Sequence, residues 1–176
     1  MQYTITDNFL TENELALLVA ADEVTNLCYQ VDRYKEHPTA KSPGVFSHKV
    51  YDNLNPLVTS FMYNALIPIM NRLEVALLFR IQLNVNPILS EPLVSFFHSD
   101  TQEIMSDADA ARWEIAILYL TTNNGYTELE DGTRIESVES RVVTFPSNTK
   151  HRFITQTDIP YRILLNFGYF KASNNK

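Results

Sequence analysis

The chain has 176 residues, 45 % of them hydrophobic and 20 % charged, and a formal net charge of -7. Those values fit one folded domain with a substantial core and exclude a disordered chain. The acidic balance, with 14 scattered Lys and Arg, argues against a protein built to hold a nucleic-acid backbone non-specifically.

The N-terminal Met1–Asp7 lacks the basic region and apolar run of a signal peptide. No apolar stretch reaches the roughly 20 residues that span a bilayer, so a soluble, cytoplasmic chain is expected. Residues 2–6 alternate weakly and predict a short strand. Thr11 followed by Glu14 is a capping-box signature, and the helix it opens carries Leu15, Leu17, Leu18 and Val19. The single cysteine, Cys28, has no partner for an internal disulfide and no histidine close in sequence. It predicts a reducing compartment and a structural role. Residues 29–51 are polar and broken by Pro38, Pro43 and Gly44, which predicts a long loop on the substrate side, with His37 and His48 as loop residues. Asn55-Pro56 predicts the start of a second helix, with Leu57, Phe61, Ala65 and Ile69 on one face and Pro68 as a kink or stop.

After Leu78 the period changes from 3.6 to 2. Phe79-Arg80-Ile81-Gln82-Leu83-Asn84-Val85 alternates as a half-buried strand should. Further strands are predicted at 93–98, 113–121, 126–130, 133–138, 141–145, 151–156 and 161–170. Turn residues separate them, including a tight hairpin at Glu130-Asp131-Gly132-Thr133. Residues 100–112, rich in Asp and Ala, predict an exposed loop. The pattern is α+β and mainly β: a helical N-terminal region over 1–78 and a sandwich or barrel over 79–170, within a single domain of 1–176.

Phe97-His98-Ser99-Asp100 carries the chemistry. The expected buried strand Leu93–Phe97 delivers a histidine and a carboxylate two residues apart, which face the same way on an extended backbone. His151 opens a later strand and can join them from the same end. Two imidazoles and a carboxylate make the facial triad of non-haem Fe(II) oxygenases. A His-x-Asp triplet alone is a weak signal. Arg162, flanked by Tyr161 and Ile163-Leu164-Leu165, strengthens it, because a charge among apolar neighbours needs a partner. Taken singly, His98 fits a core histidine, Asp100 a turn residue and Arg162 the solvent face of a strand.

Together Phe97–Asp100, Ile117-Leu118-Tyr119-Leu120-Thr121, Asn124–Leu129, Val143–Pro146 through His151, and Tyr161–Leu165 resemble the 2-oxoglutarate- and Fe(II)-dependent oxygenases, nearest their prolyl-4-hydroxylase-like branch. The resemblance covers roughly residues 79–170. It implies a double-stranded β-helix, a jelly-roll-like double sheet, buttressed by the N-terminal helices. It implies His98, Asp100 and His151 as iron ligands. Arg162, eleven positions beyond His151, would grip the remote carboxylate of the cosubstrate, with Tyr119 bonding the same group. Asn166 follows Arg162 and Leu164 on the inward side of the last strand and is a second polar candidate for the pocket. Gln82 and Asn84 are weaker ones. Gly125-Tyr126 replaces the family's usual Gly-Gly, and Thr121-Thr122 stands where Asn is usual. Neither departure touches the triad, but both leave the subfamily and the substrate open.

The implied cofactor is Fe(II), with 2-oxoglutarate and O₂ as cosubstrates. The implied reaction couples oxidative decarboxylation to succinate and CO₂ with hydroxylation of a C–H bond in a small-molecule or peptidyl substrate such as proline. Asp100 favours hydroxylation, since related halogenases leave that position empty for chloride. Two alternatives are a jelly-roll binding module without catalysis and a cupin-like metal enzyme that uses no keto-acid.

Overall fold

Alternation along two long strands sets the architecture. The structure, a computed structural model, describes residues 2–19, 28–30, 45–52, 55–56, 60–101 and 106–172. In chain order, β1 is Thr4–Thr6, α1 Glu12–Val19, β2 Cys28–Gln30, β3 Val45–Asp52, β4 Asn55–Pro56, α2 Ser60–Arg72 and β5 Val75–Pro87. After them come α3 Asp107–Ala110, β6 Glu114–Tyr119, β7 Tyr126–Leu129, β8 Arg134–Glu136, β9 Val142–Pro146, β10 His151–Ile154 and β11 Tyr161–Lys171.

All pairings are antiparallel. One sheet runs β1-β9-β6-β11-β5-β3-β2, with β4 attached to β3, and a three-stranded sheet runs β10-β7-β8. Successive side chains point to opposite faces. Ile81, Leu83, Val85, Ala116, Leu118, Leu165 and Phe167 therefore pack with Leu66 and Ile69 of α2, with Leu73 just after it and with Leu18 of α1 in one core. Ile115, Ile117, Tyr119, Val143, Phe145 and Leu164 point the other way and meet Leu129 and Ile135 of the small sheet in a second core. The helices thus cover one face of the large sheet, and the small sheet covers the other.

Along β11 and β5 this inner face turns polar. Arg162, Asn166, Gln82 and Asn86 are all buried there, and register places Asn86 opposite Arg162 and Gln82 opposite Asn166. The alternation of β5 marks its polar side as solvent-facing; that side instead lines the interior, and the strand is covered on both faces.

The capping box forms as expected: the Thr11 amide donates to Glu14 Oε2 at 2.8 Å, and the Glu14 amide to Thr11 Oγ1 at 3.3 Å. The Asp131-Gly132 hairpin is present, with Gly132 at φ 87° in the left-handed region that glycine tolerates. Several expectations need correction. Asn55-Pro56 does not open α2 but pairs with Tyr51–Asp52, and the helix begins at Ser60. Pro68 lies inside α2 without ending it, since the helix continues to Arg72. The polar stretch 29–51 is not one loop: it contains most of β2 and all of β3 up to Tyr51, and His48 sits on β3. The N-terminal region expected to be helical, residues 1–78, also holds β1 to β4 and the first residues of β5. Residues 31–44, with His37, and 102–105 lie outside the described residues. No helix among the described residues is long and apolar enough to cross a membrane.

Candidate metal centre

His98 and His151 are brought together by their own backbones. Each amide donates to the other's carbonyl, at 3.0 and 2.9 Å, so the two residues form an antiparallel pair with side chains on one side. The expected buried strand 93–97 is not what delivers His98. Val94 pairs with Ile154 and His98 with His151, so three residues, 95–97, face two, 152–153. The extra residue makes a bulge, and bulges beside active sites re-aim a side chain. The Ser95 hydroxyl completes it by accepting from the Phe153 amide at 2.9 Å, while Val94 and Phe97 are exposed.

Asp100 completes the cluster: one donor atom from each of His98, Asp100 and His151 lies within 4.8 Å of the others, and His151 Nε2 is 3.9 Å from Asp100 Oδ2. Each imidazole Nδ1 faces a backbone carbonyl, Phe96 O for His98 at 3.2 Å and Thr149 O for His151 at 3.1 Å. A carbonyl only accepts, so Nδ1 is the donating nitrogen of each ring and Nε2 the one each would offer to a metal. Phe145 packs its ring 5.0 Å from that of His151 and walls the cluster on the core side. Asp100 itself is held from two sides. Arg80 Nη2 lies 2.9 Å from Oδ1, and Asn166 Nδ2 donates to Oδ2 at 3.1 Å. Burial pushes the carboxyl up, but Arg80, His151 and His98 outweigh it and hold the group well below the usual carboxylate range. Beyond Asp100, Thr101 Oγ1 meets Ser147 Oγ at 3.0 Å and Ser147 Oγ donates to Ala110 O at 2.7 Å, which ties the ligand loop and α3 to the turn before β10.

Arg162 lies on the same inner face with 1 % of its surface exposed. Its Nε donates to Ser137 Oγ at 2.8 Å and Nη2 to Thr127 Oγ1 at 3.4 Å, while Nη1 is buried without a partner among the described residues. Its guanidinium stacks 5.5 Å over the ring of Tyr119, whose hydroxyl donates to Thr127 Oγ1 at 2.8 Å. Burial pushes the Tyr119 hydroxyl up and the Arg162 guanidinium down from their ordinary values. Among the described residues no carboxylate pairs with Arg162. Asn166 sits between the two halves of the site, bonded to Asp100. Asn84 is on the same face opposite Leu164, but its amide oxygen accepts from Gln82 and it joins neither the histidine cluster nor Arg162.

The sequence left Arg80, Thr127 and Ser137 unassigned. Arg80 had a signal: it shares the polar side of β5 with Gln82 and Asn84, and that side turned out to be interior. Thr127 and Ser137 had none, because small hydroxyl residues are common on strands and in turns.

No family model and no curated protein matches the chain. Solved structures do. A Trichoplax adhaerens prolyl hydroxylase, in complex with a hypoxia inducible factor peptide fragment, aligns at TM-score 0.63 with 13 % identity, over 96 % of this chain and 83 % of that one. A Burkholderia pseudomallei oxidoreductase of the 2OG-Fe(II) oxygenase family aligns at TM-score 0.66 with 11 % identity, over 97 % and 86 %. The fold is that of the 2-oxoglutarate- and Fe(II)-dependent oxygenases. HygX from Streptomyces hygroscopicus, solved with nickel and 2-oxoglutarate bound, shares it at TM-score 0.63 with 10 % identity, over 97 % of this chain and 83 % of that one. The expected mainly-β, jelly-roll-like double sheet is therefore present, with β1 and β3 paired into its large sheet and the helices against one face.

Proposed function

We propose that this chain, taken as one catalytic domain over 1–176, is an Fe(II)- and 2-oxoglutarate-dependent dioxygenase that hydroxylates a C–H bond. The observation that carries this is Arg162: a fully buried cation that finds no carboxylate and leaves one donor unmet among the described residues, on the same face as a cluster of two imidazoles and a carboxylate. A buried charge needs a counter-charge, and a dicarboxylate cosubstrate supplies one in the bound state. The donor set fits the metal as well, since neutral imidazole and carboxylate with open positions suit non-haem Fe(II).

His98 and His151 would offer Nε2 to the metal, and Asp100 an oxygen. The Nδ1 bonds to Phe96 O and Thr149 O fix both rings in that tautomer. Arg162 would take the remote carboxylate of 2-oxoglutarate with its free Nη1, helped by the hydroxyls of Tyr119 and Thr127. Leu164, Ile117 and Phe145 form the apolar wall that keeps water from the space between. When bound, iron and 2-oxoglutarate supply the oxidising power, by decarboxylation of the keto-acid with O₂. The peptide in the Trichoplax relative makes a peptidyl residue such as proline the first substrate class to try, ahead of free small molecules.

Anaerobic addition of Fe(II) and 2-oxoglutarate should develop a weak visible charge-transfer band, and O₂ should then yield succinate. Asp100→Ala should abolish both. Succinate production undiminished in Asp100→Ala would sink the assignment, and absence of the band in the wild type would leave a binding module. If Arg162→Ala retained full activity, a metal enzyme without the keto-acid would be favoured.

A further inference from the structure

We propose that Arg80 is a positioning residue that confines Asp100 to coordination through one oxygen and so keeps the third open metal position free. This rests on the metal-centre reading above. The two oxygens of Asp100 are not equivalent. Oδ2 lies on the histidine side, 3.9 Å from His151 Nε2, and accepts from Asn166 Nδ2 at 3.1 Å. Oδ1 is taken by Arg80 Nη2 at 2.9 Å, a charge-assisted bond between side chains that are 13 % and 7 % exposed. A carboxylate can bind a cation through one oxygen or both. An oxygen engaged by a buried guanidinium does not turn to become a second ligand, because doing so would strand the cation.

The fold delivers Arg80 to that oxygen through two local features. β5 and β11 change register between Gly168 and Tyr169, where Arg80 still faces Gly168 but Leu78 already faces Tyr169, so Phe79 is the extra residue. Opposite Arg80, Gly168 carries no side chain; a Cβ there would lie 3.9 Å from Arg80 Cβ and 3.6 Å from Phe79 Cδ1. The Arg80 stem therefore runs along the sheet beside a bare backbone. The Phe79 ring meets that of Trp113, the residue before β6, edge-on at 6.1 Å.

Arg80 also acts on the metal directly. Its Nη2 lies 2.9 Å from Oδ1, the oxygen turned away from the metal position, and a cation that near the site opposes a divalent cation. Two consequences follow for Arg80→Met. Oδ1 becomes free to bind, so the metal loses a coordinated water, and the repulsion disappears, so the metal binds more tightly. A residue that merely supports the fold would do neither.

Mn(II) alone is a suitable probe: its coordinated waters are counted from line broadening in ¹⁷O-enriched water, and its affinity by titration. The wild type should hold Mn(II) with about three waters, the number an octahedral three-ligand site leaves. Arg80→Met should hold it with about two and at least about tenfold more tightly, by the Coulomb argument. Arg80→Lys, which keeps a cation near Oδ1, should return the wild-type water count. Should Arg80→Met not fold, Arg80→Gln, too short to reach Oδ1, carries the same expectation. Wild-type water count and affinity in a folded Arg80→Met or Arg80→Gln variant would overturn the proposal. A wild type that binds no Mn(II) would overturn the metal-centre reading instead.

Discussion

Replacing Arg162 with Gln should raise the stability of the ligand-free protein while removing its response to 2-oxoglutarate. The guanidinium is 1 % exposed, and among the described residues its polar partners are neutral hydroxyls, Ser137 Oγ and Thr127 Oγ1 with the Tyr119 hydroxyl beside them. A hydrogen bond to a charged group returns about 1.5–3 kcal/mol, and the bond at 3.4 Å to Thr127 is at the weak end. An unpaired buried charge costs several kcal/mol, and the direction of the Arg162 shift, downward through burial, says that the cation is penalised there. Gln is neutral and can keep one of the two hydroxyl contacts. The net gain is about 1–3 kcal/mol, which for a chain of this size is about 2–12 °C in Tm.

The bound state changes in the opposite direction. Truncating one partner of a buried, hydrogen-bonded charge pair costs about 2–5 kcal/mol, or roughly 30- to 5,000-fold in Kd. Thermal unfolding of both proteins, with Zn(II) alone and with Zn(II) plus 2-oxoglutarate, tests both halves at once. The wild type should melt lower than the variant without the keto-acid and should gain stability with it, since a ligand that binds the folded state stabilises it. A variant that melts lower than the wild type without keto-acid, and still gains the full increment with it, would refute the reasoning. Arg162 would then be an ordinary structural side chain.

Two further predictions concern the frame around the site. Arg72 donates to both oxygens of Glu14 at 2.9 Å and holds that carboxyl down to about 2 from 4.5, against a smaller opposing effect of burial. A depressed folded-state pKa stabilises above the unfolded value and is lost as pH falls. The stability difference between wild type and Glu14→Gln in urea should therefore be full at about pH 6 and shrink between pH 4.5 and about 2; a difference that stays constant over that range would count against the pair as the anchor of α1 on α2. Gly125 has no room for a side chain: a Cβ would lie 2.9 Å from Asn123 Oδ1, 2.9 Å from Ile154 O and 3.0 Å from Gln156 N. Two of those atoms are backbone, so Gly125→Ala should cost about 1–3 kcal/mol in chemical denaturation, and an unchanged midpoint would show that β7 and β10 can separate at that point.

The second half of the fold was legible because its strands alternate and its turns carry Gly, Asn, Asp or Pro. The predicted 161–170 became β11 at 161–171, and 126–130 became β7 at 126–129. The clustering of His98, Asp100 and His151 was legible, since i, i+2 spacing and a distal His at the start of a strand can bring three ligand-type side chains to one end of the fold. What stayed hidden depended on long-range packing. Alternation along β5 cannot say whether its polar side meets water or a cavity, and the small sheet, far off in sequence, decides that. Asn55-Pro56 satisfies the local rule for a helix start, yet pairing with Tyr51–Asp52 offers its backbone partners first. The bulge at 95–97 was invisible because an extra residue changes no composition, although it turns a poorly paired, partly exposed segment into the carrier of His98.

The two buried arginines of the inner face separate by what they are paired with. Arg80 has its counter-charge within the chain, in Asp100 at 2.9 Å, and can be fully neutralised without any guest. Among the described residues Arg162 has only neutral hydroxyls and an aromatic face; each guanidinium also keeps one buried nitrogen without a hydrogen-bond partner there, Nε in Arg80 and Nη1 in Arg162, so the counter-charge alone separates them. Stability alone would favour closing Arg162 in the same way, with an acidic residue at Thr127 or Ser137, both within reach. Leaving it open costs stability in every molecule that lacks a ligand, and that cost yields nothing unless an anion arrives. Under the proposed function the asymmetry fits two roles: Arg80 serves the carboxylate that the chain itself provides, and Arg162 would take one that it does not. A metal placed at His98, Asp100 and His151 makes the same demand from the other end of the face. A ligand with an anionic group at each end answers both demands at once, and 2-oxoglutarate is such a ligand.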